Sequence, residues 1–382
     1  MLTSVHIKNF RSCKDVKLEG MGPMLGLVGR NGAGKTTILR AIERAIAIAV
    51  SRDFREVHDV NGGLTSDGGH IVIELCIAGR EYIYSVDTPA TGLKEDLVVI
   101  DDQGTRTSIF ARNDRSLVLG PGGRHLEIGD HAASMPAMAT LLAEDDSVQA
   151  QIDPVITMFQ AVRYYPGFGV EGPLGPSSEE PYEPIAAVVY EGWAARRTSS
   201  VLIRLLHAHF HATESLDELR RLLGREGLGL IDDIRIDVLD TGARRGSRQY
   251  YQVMFKTIDG DEDLSLRQLS GGTLQVLYLL VGLLFDRSSV MLIEQPEDGI
   301  HPGLLAKLVD LLRVNVDPTQ IILASHSPTV LSSLRPTDVR LVEMRDGATG
   351  VRALTEVEVR RAQDYMQREG SLAEFLELIQ ED

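Results

Sequence analysis

Residues 24–28 read MLGLV, a short apolar run, and pass directly into Gly29-Arg30-Asn31-Gly32-Ala33-Gly34-Lys35-Thr36-Thr37, with a helical stretch expected from Lys35 to about Ile48. This is the pattern G-x-x-x-x-G-K-[ST] in the strand–loop–helix setting that it requires. Glycines let a backbone wrap closely around phosphate oxygens, while amide N–H groups and the helix N-terminus supply positive potential. Gly29, Asn31, Gly32, Ala33, Gly34 and Thr37 would form the cradle. Lys35 would reach the β- and γ-phosphates, and the Thr36 hydroxyl would ligate Mg²⁺. The segment predicts a bound nucleoside triphosphate.

The rest of the chain must supply a sheet for that loop. Short strand patterns are expected at Leu2–Phe10, Asp15–Glu19, Ile71–Ile77, Glu81–Val86 and Asp96–Ile100, and helical character from about Pro136. Residues 166–184 are dense in Pro and Gly and predict a loop or hinge. A helical stretch is expected from about Ile185 to Glu226, with Ser215 as a cap, before strands return near Asp232–Leu239 and Tyr250–Thr257. The last third alternates: helix near Gly271–Phe285, strand Val290–Ile293, helix Gly303–Val314, strand Gln320–Ala324, a helix after Pro328, and strand Asp338–Glu343. Such alternation predicts a mainly parallel sheet flanked by helices. The expected organisation is an α/β head in four segments. They are an N-terminal lobe with an antiparallel β subdomain (1–135), a helical insert with the hinge and returning strands (136–260), a C-terminal lobe (261–345) and an acidic helical tail (346–382).

Composition narrows the classes of function. With 55 acidic residues against 39 Lys plus Arg among 382, the net charge is −16, which excludes coating nucleic acid through bulk positive charge. Cys13 and Cys76 are too few for a disulfide framework or a four-thiolate zinc site. The N-terminus carries Lys8, Arg11, Lys14 and Asp15 where a signal peptide needs apolar residues, and the apolar run Val276–Phe285 is about half a membrane span. The chain is expected in the cytoplasm, with no membrane partner.

Three further clusters lie in the last third. Leu269-Ser270-Gly271-Gly272-Thr273 opens an apolar helix: a second anion-binding device, or equally an ordinary helix cap. Strand 290–293 runs into Glu294-Gln295-Pro296-Glu297-Asp298-Gly299-Ile300-His301-Pro302, and a carboxylate at the end of a parallel strand beside a phosphate loop is suited to holding Mg²⁺. Strand 321–324 ends in Ser325-His326-Ser327-Pro328, where His326 could hydrogen-bond a γ-phosphate or the attacking water.

Phosphate loop, LSGG, strand-end acid and strand-end His, in that order, resemble the heads of ABC-type ATPases. The runs IKNFRS, IEQPEDGIHP and ASHSP are similar to the OLD-type and RecF-like, SMC-like branch of those P-loop ATPases. The resemblance covers Leu2 to about Arg52 and Leu264 to about Leu334. It implies a homodimer with two ATP molecules sandwiched between heads. The phosphate loop of each copy would then face Ser270, Gly271 and Gly272 of the other. It also implies a Mg²⁺-associated role for Glu294. Gln160 is a candidate for the family's Gln-containing loop by position alone, and also reads as a polar helix-end residue. Arg11 falls in a segment that approaches the nucleotide in related heads, and is equally suited to pairing with a surface carboxylate.

One departure affects the chemistry. The residue after the strand-end acid is normally the Glu that polarises water, and here it is Gln295, which can orient water but cannot accept its proton. Glu297 is the alternative base. The resemblance therefore implies an ATPase, slow in turnover. OLD proteins carry a nuclease after the head; only about fifty residues follow ASHSP here, so the expected effector, a nuclease or toxin, is a separate protein. Anti-phage defence or DNA repair is the implied setting. A non-hydrolysing ATP sensor, a DNA clamp and a transporter subunit are the alternatives. Basic residues in Thr241–Tyr251 make DNA a possible ligand. His207, His209 and His211 put two imidazoles on one helix face but bring no acid or Cys pair, and are not expected to hold zinc.

Overall fold

The computed structural model of the chain describes residues 1–51, 69–88, 92–120, 122–129, 134–142, 147–167, 201–240, 249–260, 262–286, 288–316 and 318–381. Most of the expected hinge, from 168 to 184, and most of the basic loop, 241–248, lie outside them.

Strands β1 (Leu2–Phe10), β2 (Cys13–Leu18) and β3 (Met24–Val28) lead into helix α1 (Lys35–Val50). After it come β4 (Gly69–Ile77), β5 (Arg80–Thr88), β6 (Lys94–Ile100), β7 (Arg106–Asn113), β8 (Ser116–Leu119) and β9 (Arg124–Glu127). Helices α2 (Ser134–Leu141) and α3 (Ser147–Gln160) precede strand β10 (Val162–Tyr165). Next are α4 (Val201–His211), α5 (Thr213–Leu223), β11 (Ile231–Asp240), β12 (Gln249–Thr257), β13 (Asp263–Ser265) and α6 (Gly271–Phe285). The chain ends with β14 (Val290–Glu294), α7 (Pro302–Val314), β15 (Gln320–Ser325), α8 (Pro328–Ser332), β16 (Val339–Arg345), β17 (Ala348–Ala353), α9 (Glu356–Arg368) and α10 (Leu372–Glu381).

Two compact units emerge. The first comprises Met1–Tyr164, Ser289–Glu294 and Val316–Asp382, the second Tyr165–Ser288 and Gln295–Asn315. The expected boundary at 135/136 is not where the units part: α3 packs against α1 within the first unit, and the break falls at Tyr164/Tyr165.

Within the first unit a mainly parallel sheet runs in the order β10-β14-β15-β3-β16-β17. β3, β14 and β15 are buried at every residue, as both faces of a covered parallel sheet demand. Their pairing is parallel and in register, with Glu294 opposite Ala324 and Ser325 opposite Val28. Edge strand β17 is antiparallel to β16. A second, antiparallel sheet runs β2-β1-β4-β5-β6-β7-β8-β9, and alternation puts Ile71, Ile73 and Leu75 of β4 inward with Glu74 outward. Gln320, at the start of β15, accepts from Leu2 N at 2.8 Å and donates to Leu2 O and Gly22 O, both at 2.9 Å. One buried amide thereby ties β1 to the turn before β3.

The antiparallel sheet also buries charge. Arg112 Nη1 lies 3.0 Å from Glu95 Oε2 with both side chains fully enclosed, and Tyr84 and Ser134 hydroxyls donate to the same carboxylate at 2.9 and 2.5 Å. Burial pushes the Glu95 carboxyl above its ordinary range, against the pull of the Arg112 guanidinium and the two hydroxyls.

The second unit contains the sheet β11-β12-β13 and helices α4 to α7. α5 begins at Thr213, two residues before the expected cap Ser215, and buries Leu216, Leu219 and Leu223 as one stripe. α6 is apolar nearly all round and is buried accordingly. Tyr165 OH donates to Asp286 at 2.9 Å, and Arg204 pairs with the same carboxylate at 3.1 Å.

Candidate functional site

β3, β14 and β15 all end at one edge of the parallel sheet, so Gly29, Glu294 and His326 emerge there from neighbouring strands. In open α/β sheets this carboxyl edge is where ligands bind.

The loop's glycines are dictated by what surrounds them. A Cβ on Gly29 would stand 2.0 Å from the Val342 carbonyl oxygen of β16. Gly34 adopts φ +104°, and a Cβ there would stand 2.0 Å from Thr349 Oγ1. Thr349 in turn bonds Ser12 through its amide and its hydroxyl, both at 2.8 Å, so the turn after Arg11 buttresses the phosphate loop. Gly34→Ala is expected to lose about 1–3 kcal/mol of stability from the strained backbone alone, with the clash in addition. ATP binding should fall with it. Thermal unfolding and nucleotide titration check this, and an alanine variant matching wild type in both would contradict the packing described here.

Lys35 is buried, and its ammonium donates to Gly29 O at 2.6 Å and Arg30 O at 3.0 Å. The Thr36 hydroxyl donates to Glu294 Oε1. Two hard oxygen donors thus meet across the sheet edge, the kind of ligands Mg²⁺ takes alongside phosphate oxygens. Among the described residues no cluster of three or more His, Cys, Asp or Glu could cage a metal unaided. Thr36 and Glu294 suit an ion that shares its coordination with a nucleotide.

A residue outside every recognised motif joins them. Tyr164, at the end of β10, donates its hydroxyl to Glu294 Oε2. Burial, with the bond to Glu294 second, holds its phenol well above the ordinary range. The Arg40 guanidinium lies over its ring, 4.0 Å from the centroid. The doublet Tyr164-Tyr165 in VRYYPG was the available signal, but nothing local tells which tyrosine reaches the site.

Gln160 is placed elsewhere. It ends α3, and the next residue's carbonyl, Ala161 O, accepts from Ser289 N at 3.0 Å, at the start of β14. Ser289 lies about 17 Å along the strand from Glu294 at a strand's rise per residue. Arg11, exposed and at φ +52°, sits near α1, where it and Arg40 add to the burial that lowers the Arg44 pKa. His326 is exposed beyond Ser325, whose hydroxyl accepts from Ser327 N at 3.0 Å.

In the second unit, Ser270 caps α6 by accepting from Thr273 N at 3.1 Å, and is itself exposed. A Cβ on Gly272 would stand 2.3 Å from Gly299 O, so LSGG and the turn of EQPEDG pack backbone to backbone. In that turn Gln295 adopts φ +43°, a left-handed conformation uncommon for any residue but glycine. Asp298 N bonds Gln295 O, and Ile300 N bonds Glu297 O, both at 3.1 Å.

Comparison with known proteins shows likeness to ATPase domains. Residues 1–107 match the family described as "AAA ATPase domain", and residues 150–332 the one described as "AAA domain, putative AbiEii toxin, Type IV TA system". A 43-residue segment is 56% identical to the OLD nuclease of Thermus scotoductus, covering 11% of this chain and 8% of that protein. Over 42 residues the chain is also 43% identical to an uncharacterised protein of Methanocaldococcus jannaschii, covering 11% of this chain and 19% of that protein. The matches therefore span under a fifth of each curated relative. Among solved structures, an SMC head bound to the C-terminal winged-helix domain of ScpA superposes with a TM-score of 0.50 at 13% identity, covering 94% of this chain and 99% of that one. At that identity the likeness is one of fold. The chain is thus similar over two separate stretches to AAA-type ATPase domains, and it shares the fold of an SMC head.

Proposed function

We propose that this chain is a cytoplasmic ATPase that binds Mg-ATP, closes on it as a homodimer and controls a separate effector. The observation that carries this reading is the convergence of Lys35, Thr36 and Glu294 at one sheet edge. Phosphates lie along residues 29–37, with Mg²⁺ held by Thr36 and Glu294. The turn Ser270-Gly271-Gly272, exposed at Ser270, addresses the γ-phosphate held by a second copy. Held by these two oxygens, Mg²⁺ would supply neutralisation of charge on the phosphoryl oxygens. Glu297 takes the proton of the attacking water, His326 hydrogen-bonds the γ-phosphate side, and Gln295 orients the water without deprotonating it. Turnover is correspondingly slow.

The effector is a nuclease or toxin, in anti-phage defence or DNA repair. Support comes from the toxin–antitoxin family description and from the partner protein carried by the SMC head above. Among the described residues no helix is long and apolar enough to cross a membrane. A second reading, a non-hydrolysing ATP sensor or a clamp on DNA, is favoured by Gln295 itself.

Light scattering with and without Mg-ATP tests the dimer. Wild type is expected to double in mass only with Mg-ATP. Ser270→Arg, placing a bulky cation at an exposed cap, should remain monomeric with ATP affinity within about two-fold of wild type. A Ser270→Arg protein that still dimerises, or a wild type whose mass ignores nucleotide, would contradict the sandwich. Co-purification from native cells in Mg-ATP then identifies the effector.

A further inference from the structure

The Glu294 carboxylate is held from two sides. Thr36, on α1, reaches Oε1, and Tyr164, on the strand beside β14, reaches Oε2. A Glu side chain has three torsions, and one hydroxyl on one oxygen leaves the carboxylate plane free to turn. A second, opposed donor removes that freedom.

Tyr164 is itself anchored. The Arg40 guanidinium stacks on its ring at 4.0 Å and is tied to Glu43 at 3.1 Å. Arg40 is four residues beyond Thr36, one helical turn further along α1, so one helix supports both the Thr36 donor and the tyrosine's stacking partner. At the other end, Ser289 bonds Ala161 O at 3.0 Å and Met158 O at 2.6 Å, which pins the entry into β10 to the start of β14.

We propose that Tyr164 is a positioning residue for the magnesium carboxylate: its hydroxyl holds Glu294 Oε2, so that Oε1 is presented beside the Thr36 hydroxyl. This rests on the reading of Thr36 and Glu294 as Mg²⁺ ligands. Groups that orient a metal ligand from behind commonly carry about 10–100-fold in metal affinity or activity. The phenol bonds the carboxylate, so its removal is expected to act on the magnesium-dependent part of binding.

The test is titration of a non-hydrolysable ATP analogue in Mg²⁺ and in EDTA, on the full chain. Tyr164→Phe is expected to leave EDTA affinity within about two-fold of wild type while lowering affinity in Mg²⁺ by about ten-fold or more. Arg40→Met should shift the same way by a smaller factor. Glu294→Gln serves as the reference that loses the magnesium enhancement. If Tyr164→Phe keeps the full enhancement where Glu294→Gln loses it, the positioning role is overturned and the magnesium site stands. If Glu294→Gln also keeps it, the magnesium reading fails and this inference with it. Equal losses in Mg²⁺ and EDTA for Tyr164→Phe would mark general damage to the loop, which also overturns the proposal.

Discussion

Exchanging Glu297 for Gln is expected to slow ATP turnover by about 10²–10⁴-fold while leaving Mg-ATP affinity and ATP-dependent dimerisation near wild type. The substitution is isosteric, and the turn that carries Glu297 is held by backbone bonds, Asp298 N to Gln295 O and Ile300 N to Glu297 O, which the exchange does not touch. What it removes is a proton acceptor. Gln295 cannot replace it, because an amide has no basic lone pair at neutral pH. The left-handed backbone of Gln295 is informative here: a strained residue that directly follows Glu294 in the chain is more readily explained by a functional demand than by packing. Gln295→Glu should then raise turnover, by adding a carboxylate where related heads carry one. Phosphate release at saturating Mg-ATP measures both variants. A Glu297→Gln protein with wild-type turnover would remove Glu297 from the chemistry, and a wild type without turnover above background would favour the ATP sensor.

The second large effect lies far from nucleotide chemistry. Arg112→Met is expected to destabilise the first unit by about 3–5 kcal/mol, since it leaves Glu95 wholly enclosed without its cation. Tyr84 and Ser134 can still donate to that carboxylate, but two neutral hydroxyls do not replace a guanidinium. Deprived of Arg112, the Glu95 carboxyl rises further above its unfolded value. The native variant then binds more protons than the unfolded chain in the neutral range, so its deficit grows as pH rises and shrinks in acid. Chemical denaturation at pH 5 and pH 8 should show the larger loss at pH 8. Replacing Glu95 and Arg112 together by Met should recover much of it, because two buried apolar chains carry no desolvation cost. A single variant losing under about 1 kcal/mol would mean that the pair contributes little beyond surface-like pairing.

What could be read from the residues follows what is local. Phosphate binding requires its glycines, lysine and hydroxyl within nine consecutive positions, so Gly29 to Thr37 announce themselves without a structure. Glu294 and Ser270 were legible because each sits at the end or start of a strongly apolar element. Tyr164 was not, since its bond to Glu294 spans 130 positions and depends on β10, a four-residue edge strand with weak patterning. The same reason hid β8 and β9, four residues each, and β17, which pairs with the expected strand β16 inside the segment 346–382 read as a helical tail, where strand pairing outweighs modest propensity. Gln160 stands ahead of the Pro/Gly stretch, but strand direction carries the chain past it: Gln160 lies near where β14 begins and Tyr164 where it ends. The enclosed Glu95–Arg112 pair and the Gln320 clamp were invisible for a further reason. Buried polar residues follow no periodic pattern and acquire meaning only from their partners.

Mixing two inactive variants decides whether the ATP site is shared between copies. Lys35→Ala should lose phosphate binding and Ser270→Arg the facing turn, so neither alone is expected to hydrolyse ATP. In a twofold dimer a Lys35→Ala chain paired with a Ser270→Arg chain keeps one complete site, with Lys35 from one copy and Ser270 from the other. An equimolar mixture is therefore predicted to recover turnover, up to about half of wild type, since only mixed pairs assemble a site and each has one of its two sites intact. A mixture no more active than its components, or a Ser270→Arg protein active on its own, would contradict a nucleotide sandwiched between two copies.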